Sequence, residues 1–436
     1  MKSAGPQRVA VVGAGYAGLA AAVALVRAGW PVTLFEANRT AGGRARRVEY
    51  RGTALDNGQH LLLGAYAETL TLMREVGVSG SACLRLPLSL EYPAELSLSA
   101  PHLPAPWHLL AALLLARGLD LAERLAAIRF ARRLRAAGFR VPPGITVADH
   151  LARHGQPERV RALIWEPLCV AALNTPAASA DAQVFAHVLR DALFRRRADS
   201  DLILPAVDLS AFFPDAALAW LVQRGAEIRL GARVLALARQ ASGWTMRTAA
   251  GARDFDAVVC AAAPFQVPAL LAAVPGLEDL RAGLEGLAHE PITTVYLQYD
   301  SGPRPRRPMI GLRGRQVQWL FDREAISGSR GLLAAVISAS GAQLALDHDV
   351  LGTIVHREIV EALGPRPAPA WTKVISEKRA TFACIPGVFR PPTETAAAGL
   401  VLAGDYVAGE YPATLEGAVR SGLAAARESI HYLVTR

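Results

Sequence analysis

Six residues near the start, Gly13-Ala14-Gly15-Tyr16-Ala17-Gly18, constrain this chain more than any other stretch. They follow the β-branched run RVAVV (8–12) and open an Ala/Leu-rich segment, Tyr16 to Ala28, closed by Gly29. Residues 32–36, VTLFE, then read as a second strand ending on Glu36. Strand, G-x-G-x-x-G turn, helix, strand and terminal acid make the Rossmann-type βαβ unit. In it, Gly13 permits the tight turn, Gly15 lets backbone approach a pyrophosphate, and Gly18 packs helix on strand. The helix N-terminus offers unpaired N–H groups to the phosphates, and Glu36 is placed to accept from a ribose hydroxyl. The fold class expected is therefore α/β.

At 436 residues and 52% hydrophobic, the chain is long enough for two intertwined domains with a substantial core. Forty-seven basic against 38 acidic residues leave a formal charge of +9. That excess favours an anionic partner, but the arginines are scattered and no nucleic-acid signature accompanies them, so no nucleic-acid partner is expected. Cys83, Cys169, Cys260 and Cys384 form no Cys-x-x-Cys, which points to a reducing compartment and away from zinc. Lys2, Arg8 and the apolar run after them imitate a signal peptide, but the glycines inside the run argue for the strand–turn–helix instead. LLAALLLA (109–116) is too short to span a bilayer and reads as a buried core helix.

From about 95 to 200 the pattern is helical, with Leu121 to Ala137 carrying Arg124, Arg129, Arg132, Arg133 and Arg135. Leu202 to Pro205 and a helix near 210–224 follow. Glu227 to Ala261 reads as a β-meander split by turns at Ser242-Gly243 and Ala250-Gly251. Val295–Tyr299, Gln316–Phe321 and Leu332–Ser338 read as strands of a second sheet, Leu400–Ala403 as one last buried strand, and Glu416–Arg427 as one last helix.

Two further segments carry a resemblance. Ala37-Asn38-Arg39-Thr40-Ala41-Gly42-Gly43-Arg44 resembles the segment after the ribose acid in the amine-oxidase/phytoene-desaturase superfamily of flavoproteins. AGDYVAGEYPATLEGAVRSG (403–422) resembles that superfamily's closing flavin motif. The resemblance implies FAD as cofactor, in a glutathione-reductase-like domain with an inserted α+β substrate domain. It implies a discontinuous FAD domain over 1–95, 200–275 and 395–436, and a substrate- and membrane-facing domain over 96–199 and 276–394. Carried over position by position, the FAD residues are Gly13, Ala14, Gly15, Ala17, Gly18, Glu36, Ala37, Arg39, Gly43, Arg44, Gly58, Gln59, His60, Val234, Gly404, Asp405, Thr414 and Leu415. No second G-x-G-x-x-G occurs, which argues against a built-in NAD(P)H module and for an external electron donor.

Within the superfamily, amino-acid oxidases hold a substrate carboxylate with an Arg where this chain has Leu61. Amine oxidases place a cage tyrosine where it has Thr414. Both departures point to an apolar substrate. DNGQHLLLGAY (56–66), WEPLCVAALNTP (165–176), FAHVLRDALF (185–194) and GDYVAGEYPATLEGAVRSG (404–422) resemble the hydroxysqualene dehydroxylases, the desaturase-like flavoproteins of bacterial hopanoid synthesis. That resemblance implies a bacterial-type cytoplasmic setting, with peripheral contact to the membrane that stores the polyisoprenoid substrate. It implies reductive replacement of an allylic hydroxyl by hydrogen, with a general acid assisting the poor leaving group; His60, Glu410 and Tyr411 are the candidates. A carotenoid-type desaturase, an amine-oxidase-like enzyme and an isoprenoid-escort protein remain alternatives. His150 and His154, four apart, could suggest a metal pair, but no third ligand follows. No metal is expected, and His154 before Gly155 suits a helix C-terminus, where the dipole favours a cation.

Overall fold

The computed structural model describes residues 7–436, so Lys2 lies outside the described residues. Five parallel strands form the central sheet in the order Glu227–Arg229, Val32–Phe35, Val9–Val12, Ala257–Cys260, Leu400–Leu402. The four residues of each strand Val9–Val12, Val32–Phe35 and Ala257–Cys260 are all buried, as expected where both faces of a parallel sheet are covered. Val9 and Val11 pack among the helices Tyr16–Arg27, Pro214–Gln223 and Leu415–Thr435. Ala10 and Val12 point the other way, into a core shared with Trp244 and Phe255.

The β-rich stretch from Glu227 is divided between two sheets, which corrects its reading as one meander. Its first and last strands join the parallel sheet, and only Val234–Gln240, Gly243–Thr248 and Gly251–Phe255 form the antiparallel meander. Both turns fall at the expected positions, with Gly251 at φ +122°. Arg253 ties the two sheets by pairing with Glu227 at 2.8 Å.

A second five-stranded sheet is antiparallel: Met309–Gly311, Trp319–Asp322, Leu332–Ser338, His289–Gln298, Trp371–Phe382. Helix His348–Leu363 covers one face through Leu351, Val355 and Ile359. The other face turns Trp319, Phe321 and Val336 toward the large cavity described below. The helices between Trp107 and Phe194 close that cavity from the opposite side, and two of their turns are π-helical, Arg161–Trp165 and Arg190–Phe194. Such turns often sit at functional sites. The LLAALLLA reading needs correction: helix Trp107–Leu114 buries Leu109, Ala112 and Leu113 but leaves Trp107 and Leu114 exposed, with Leu115 beyond its end.

Candidate active site

One continuous cavity of about 850 Å³ runs from the first βα turn to the helical layer. At its nucleotide end the glycines act by contact. A Cβ on Gly18 would lie 1.8 Å from the Gly13 carbonyl oxygen, and one on Gly13 would lie 2.6 Å from the Ala261 oxygen. Gly15 and Gly43 face each other so closely that a Cβ on Gly43 would stand 3.3 Å from the Gly15 Cα. Gly15 begins the helix without a side-chain cap, leaving first-turn N–H groups free for an anion. Glu36 is buried and accepts from the backbone N–H of Ala14 and of Asn38, both at 2.8 Å. Oε1 also accepts from the Asn38 side-chain amide at 3.1 Å, so it is Oε2 that keeps a lone pair for a further donor. Ala37 and Val234 line the wall beside it, and the backbone of Ala232 donates to the Glu36 carbonyl at 2.8 Å.

Next come the segments that are remote in sequence. Arg44 donates to Asp405 at 2.6 Å and to the Ala380 carbonyl at 2.6 Å, clamping the N-terminal motif to the closing motif and to the second sheet. Burial opposes its charge, but Asp405, with Glu377 and Tyr406, more than restores it and raises its pKa. Asn57 bridges the Arg44 carbonyl and Glu377 at 3.1 and 3.2 Å. Gly404, at φ +159°, donates to Ser421 at 2.8 Å, and Thr414 caps the closing helix by accepting from Gly417 at 3.0 Å. Glu416, fully buried, ties that helix to Thr69 and is held by Arg420 one turn further along the same helix. The hydroxyls of Tyr16 and Tyr406, both from cavity-lining residues, are buried without a protein partner. Glycine cradle, uncapped helix, buried acid and orphaned hydroxyls fit a dinucleotide cofactor with an aromatic head group.

Beyond that head the wall is apolar, with Leu61, Leu109, Leu113, Ile164, Trp165 and Phe185 among its residues. Titratable groups are set in its lining, among them His60, Tyr66, Asp191, Glu377, Arg379 and Tyr411. His60 Nδ1 lies 2.8 Å from the Gly58 carbonyl, so that nitrogen carries the proton and Nε2 is the acceptor. Burial holds its pKa below the ordinary histidine value, with Arg44 adding to the effect. Tyr411 donates to Asp191 at 2.9 Å and receives Arg420 at 3.4 Å; burial raises its pKa well above the ordinary tyrosine range. Burial alone would push the Asp191 carboxyl up, but hydrogen bonds from Arg190 and Tyr411 and the charges of Arg190 and Arg195 hold it below the ordinary range. Sequence reasoning passed over Asp191 although it lies inside FAHVLRDALF.

Two site assignments need correction. Glu410 lies outside the cavity wall and pairs with Arg190 at 2.8 Å, which holds it ionised and unsuited to donating a proton. Arg39 is exposed and outside the wall, where Ala37 and Asn38 stand instead. Ala14 and Gly18 also stand behind the wall; Gly13, Gly15, Ala17, Glu36, Gly43, Arg44, Gly58, Gln59, Gly404, Asp405, Thr414 and Leu415 line it. His154 does cap a helix, Val147–Arg153, but burial lowers its pKa. Its ring packs 4.5 Å from that of His150, which burial pushes down to about 4. Desolvation therefore overrides the dipole there.

Fold and cavity together define the class: this is an FAD-dependent oxidoreductase. Residues 16–430 match the family described as flavin containing amine oxidoreductase, and the chain belongs to that family. It is 29% identical to a hydroxysqualene dehydroxylase of Sinorhizobium fredii over 97% of this chain and 98% of the relative. It is 28% identical to one of Zymomonas mobilis over 95% and 97%. A zeta-carotene desaturase of Zea mays is 23% identical over 96% of this chain and 82% of its own length. The fold is shared with an oxidoreductase from Methanosarcina mazei, at TM-score 0.74 and 16% identity over 96% and 100% of the two chains.

Proposed function

We propose that this chain removes the allylic hydroxyl of hydroxysqualene reductively, giving squalene and water. The observation that carries the reading is the largely apolar lining of the cavity, continuous with the FAD site, with His60 and Tyr411 set in it. Leucine at 61 leaves nothing there to hold a carboxylate, and the cavity's leucine, phenylalanine and tryptophan side chains suit a polyisoprenoid held in one register. When bound and reduced, FAD would supply the hydride, with an external electron donor as the source of its electrons.

The chain's own residues have two tasks: to order the substrate and to deliver a proton to the departing oxygen. The C–O bond breaks, the hydroxyl takes a proton and leaves as water, and the carbon gains hydrogen. Tyr411 stays protonated at the cavity wall and is the favoured donor, its proton turning from Asp191 to the departing oxygen, with His60 accepting a hydrogen bond through Nε2. We also propose the division into an FAD domain (1–95, 200–275, 395–436) and a substrate domain (96–199, 276–394), working at the inner membrane surface.

A desaturase acting on carotenoids is the second reading, favoured by the likeness to zeta-carotene desaturases over nearly the whole chain. Incubating reduced enzyme with hydroxysqualene, and oxidised enzyme with phytoene and zeta-carotene, separates the two. Squalene from the first supports the proposal; conjugated polyenes from the second, without squalene, support the alternative.

A further inference from the structure

Six of the fifteen large apolar side chains exposed among the described residues fall within one short stretch, 103–125. Leu103, Trp107, Leu114, Leu115, Leu121 and Leu125 are all exposed, with Trp107, Leu115 and Leu121 at 61%, 69% and 66%. Clustering of this kind marks an interaction site, whereas scattered exposed leucines do not. The corner is held rigidly. Arg124 donates to the carbonyls of Leu114 and Leu119 at 2.8 and 2.9 Å, and Asp120 and Glu123 form a capping box at the start of helix Leu121–Ala136.

Helical geometry sorts these residues. At about 100° per residue, Trp107 and Leu114 share the outer face of helix Trp107–Leu114, opposite the buried Leu109 and Leu113. In helix Leu121–Ala136 the outer face runs Leu121, Leu125, Arg129, Arg132, opposite the buried Ala127, Phe130 and Leu134. Apolar residues thus form the tip and arginines follow behind it. Arg129, Arg132, Arg133 and Arg135 pair with no carboxylate among the described residues. Residues 101–140 hold seven arginines against two acids. A leucine-and-tryptophan tip backed by free arginines is complementary to an anionic bilayer: the tip inserts among acyl chains and the arginines meet the headgroups. No described helix is long and apolar enough to cross a membrane, so this corner would rest on one leaflet.

We infer that this corner is the membrane-docking tip and that helix Trp107–Leu114 is the passage for substrate. One face of that helix meets lipid while Leu109 and Leu113 on the other line the cavity. An apolar substrate would pass beside this single helix from bilayer to cavity without crossing water. The passage rests on the proposed reaction; docking names the surface for the membrane setting proposed above and does not depend on the reaction.

Sedimentation with vesicles of equal parts phosphatidylglycerol and phosphatidylcholine, using FAD-loaded full-length protein without substrate, tests docking alone. The wild type is expected to bind. Trp107→Ser with Leu115→Ser should weaken binding on the order of tenfold even at low salt, since apolar burial is lost. Replacing Arg129, Arg132, Arg133 and Arg135 by Gln should remove the salt-sensitive part. Brominated lipid should quench Trp107, read as the difference from Trp107→Phe. Absence of vesicle binding overturns the docking tip. So does a dimer that Leu115→Ser dissolves in protein that ignores vesicles, because a second copy then covers the patch. For the passage, the Trp107/Leu115 variant should lose turnover of vesicle-borne hydroxysqualene but keep it with detergent-dispersed substrate. Equal losses in both overturn the passage, while no turnover by wild type in either overturns the proposed function and leaves the vesicle result standing.

Discussion

The Tyr411 hydroxyl donates to the Asp191 carboxylate at 2.9 Å across 220 residues of sequence, while Arg420 donates to the same hydroxyl at 3.4 Å. The phenol is therefore oriented from both sides, and Asp191 is itself fixed by Arg190 at 2.7 Å and Arg195 at 3.0 Å. If Tyr411 delivers the proton, Tyr411→Phe should slow product formation by about 10²–10⁴-fold with FAD content unchanged. Asp191→Asn should lower kcat by up to about 10²-fold through misplacement, leave KM nearly constant, and be partly rescued by Asp191→Glu. Full activity of Tyr411→Phe would falsify the proton assignment.

His60 gives a pH prediction. Its folded-state pKa lies below the ordinary value of 6.5, chiefly through burial. The depressed value means that its stabilising contribution is complete above 6.5 and is lost as pH falls through the folded value. The rate should accordingly be flat from just above pH 6.5 upward until Tyr411 begins to ionise, well above the ordinary tyrosine range. A kinetic titration centred at 6.5 would show instead that His60 changes charge in the working range.

Glu36 should govern FAD retention. Glu36→Gln removes the charge from an acceptor serving Ala14 and Asn38. Charged hydrogen bonds contribute about 1.5–3 kcal/mol each, so FAD affinity should fall at least tenfold. Glu36→Arg should yield colourless protein. Cofactor released by acid, measured per chain, checks both.

Gly18 should be intolerant of any side chain, because a Cβ would stand 1.8 Å from the Gly13 carbonyl oxygen. Helix Tyr16–Arg27 would have to move off the first strand. Gly18→Ala should destabilise by about 1–3 kcal/mol and weaken FAD binding, read by thermal unfolding with and without added FAD. An unchanged melting temperature would mean that the helix can shift freely.

Short-range order explains what could be read from the chain. The turn at Gly13–Gly18 and its answering Glu36 lie within one βαβ unit, and the turns at Gly243 and Gly251 are set by local backbone preference. Leu400–Leu402 stood out as a wholly buried strand. Trp371–Phe382 did not, because WTKVISEKRATF mixes charge into both faces and shows few buried positions. The polar cluster in the apolar arm was hidden for another reason. Asp191 meets Tyr411, and Arg44 meets Asp405 across 361 residues, only once the chain has folded. Glu410, beside Tyr411 in sequence, reads as a cavity residue, but its side chain turns out toward Arg190.

Isotope transfer tests the central claim most directly. Holoenzyme reduced anaerobically in heavy water, so that the transferable hydrogen of the flavin is deuterium, is given hydroxysqualene for a single turnover. The account predicts squalene with deuterium at the carbon that lost oxygen, together with one equivalent of reoxidised FAD. Flavin that stays reduced while hydroxysqualene is recovered intact, or squalene without deuterium at that carbon, would contradict it.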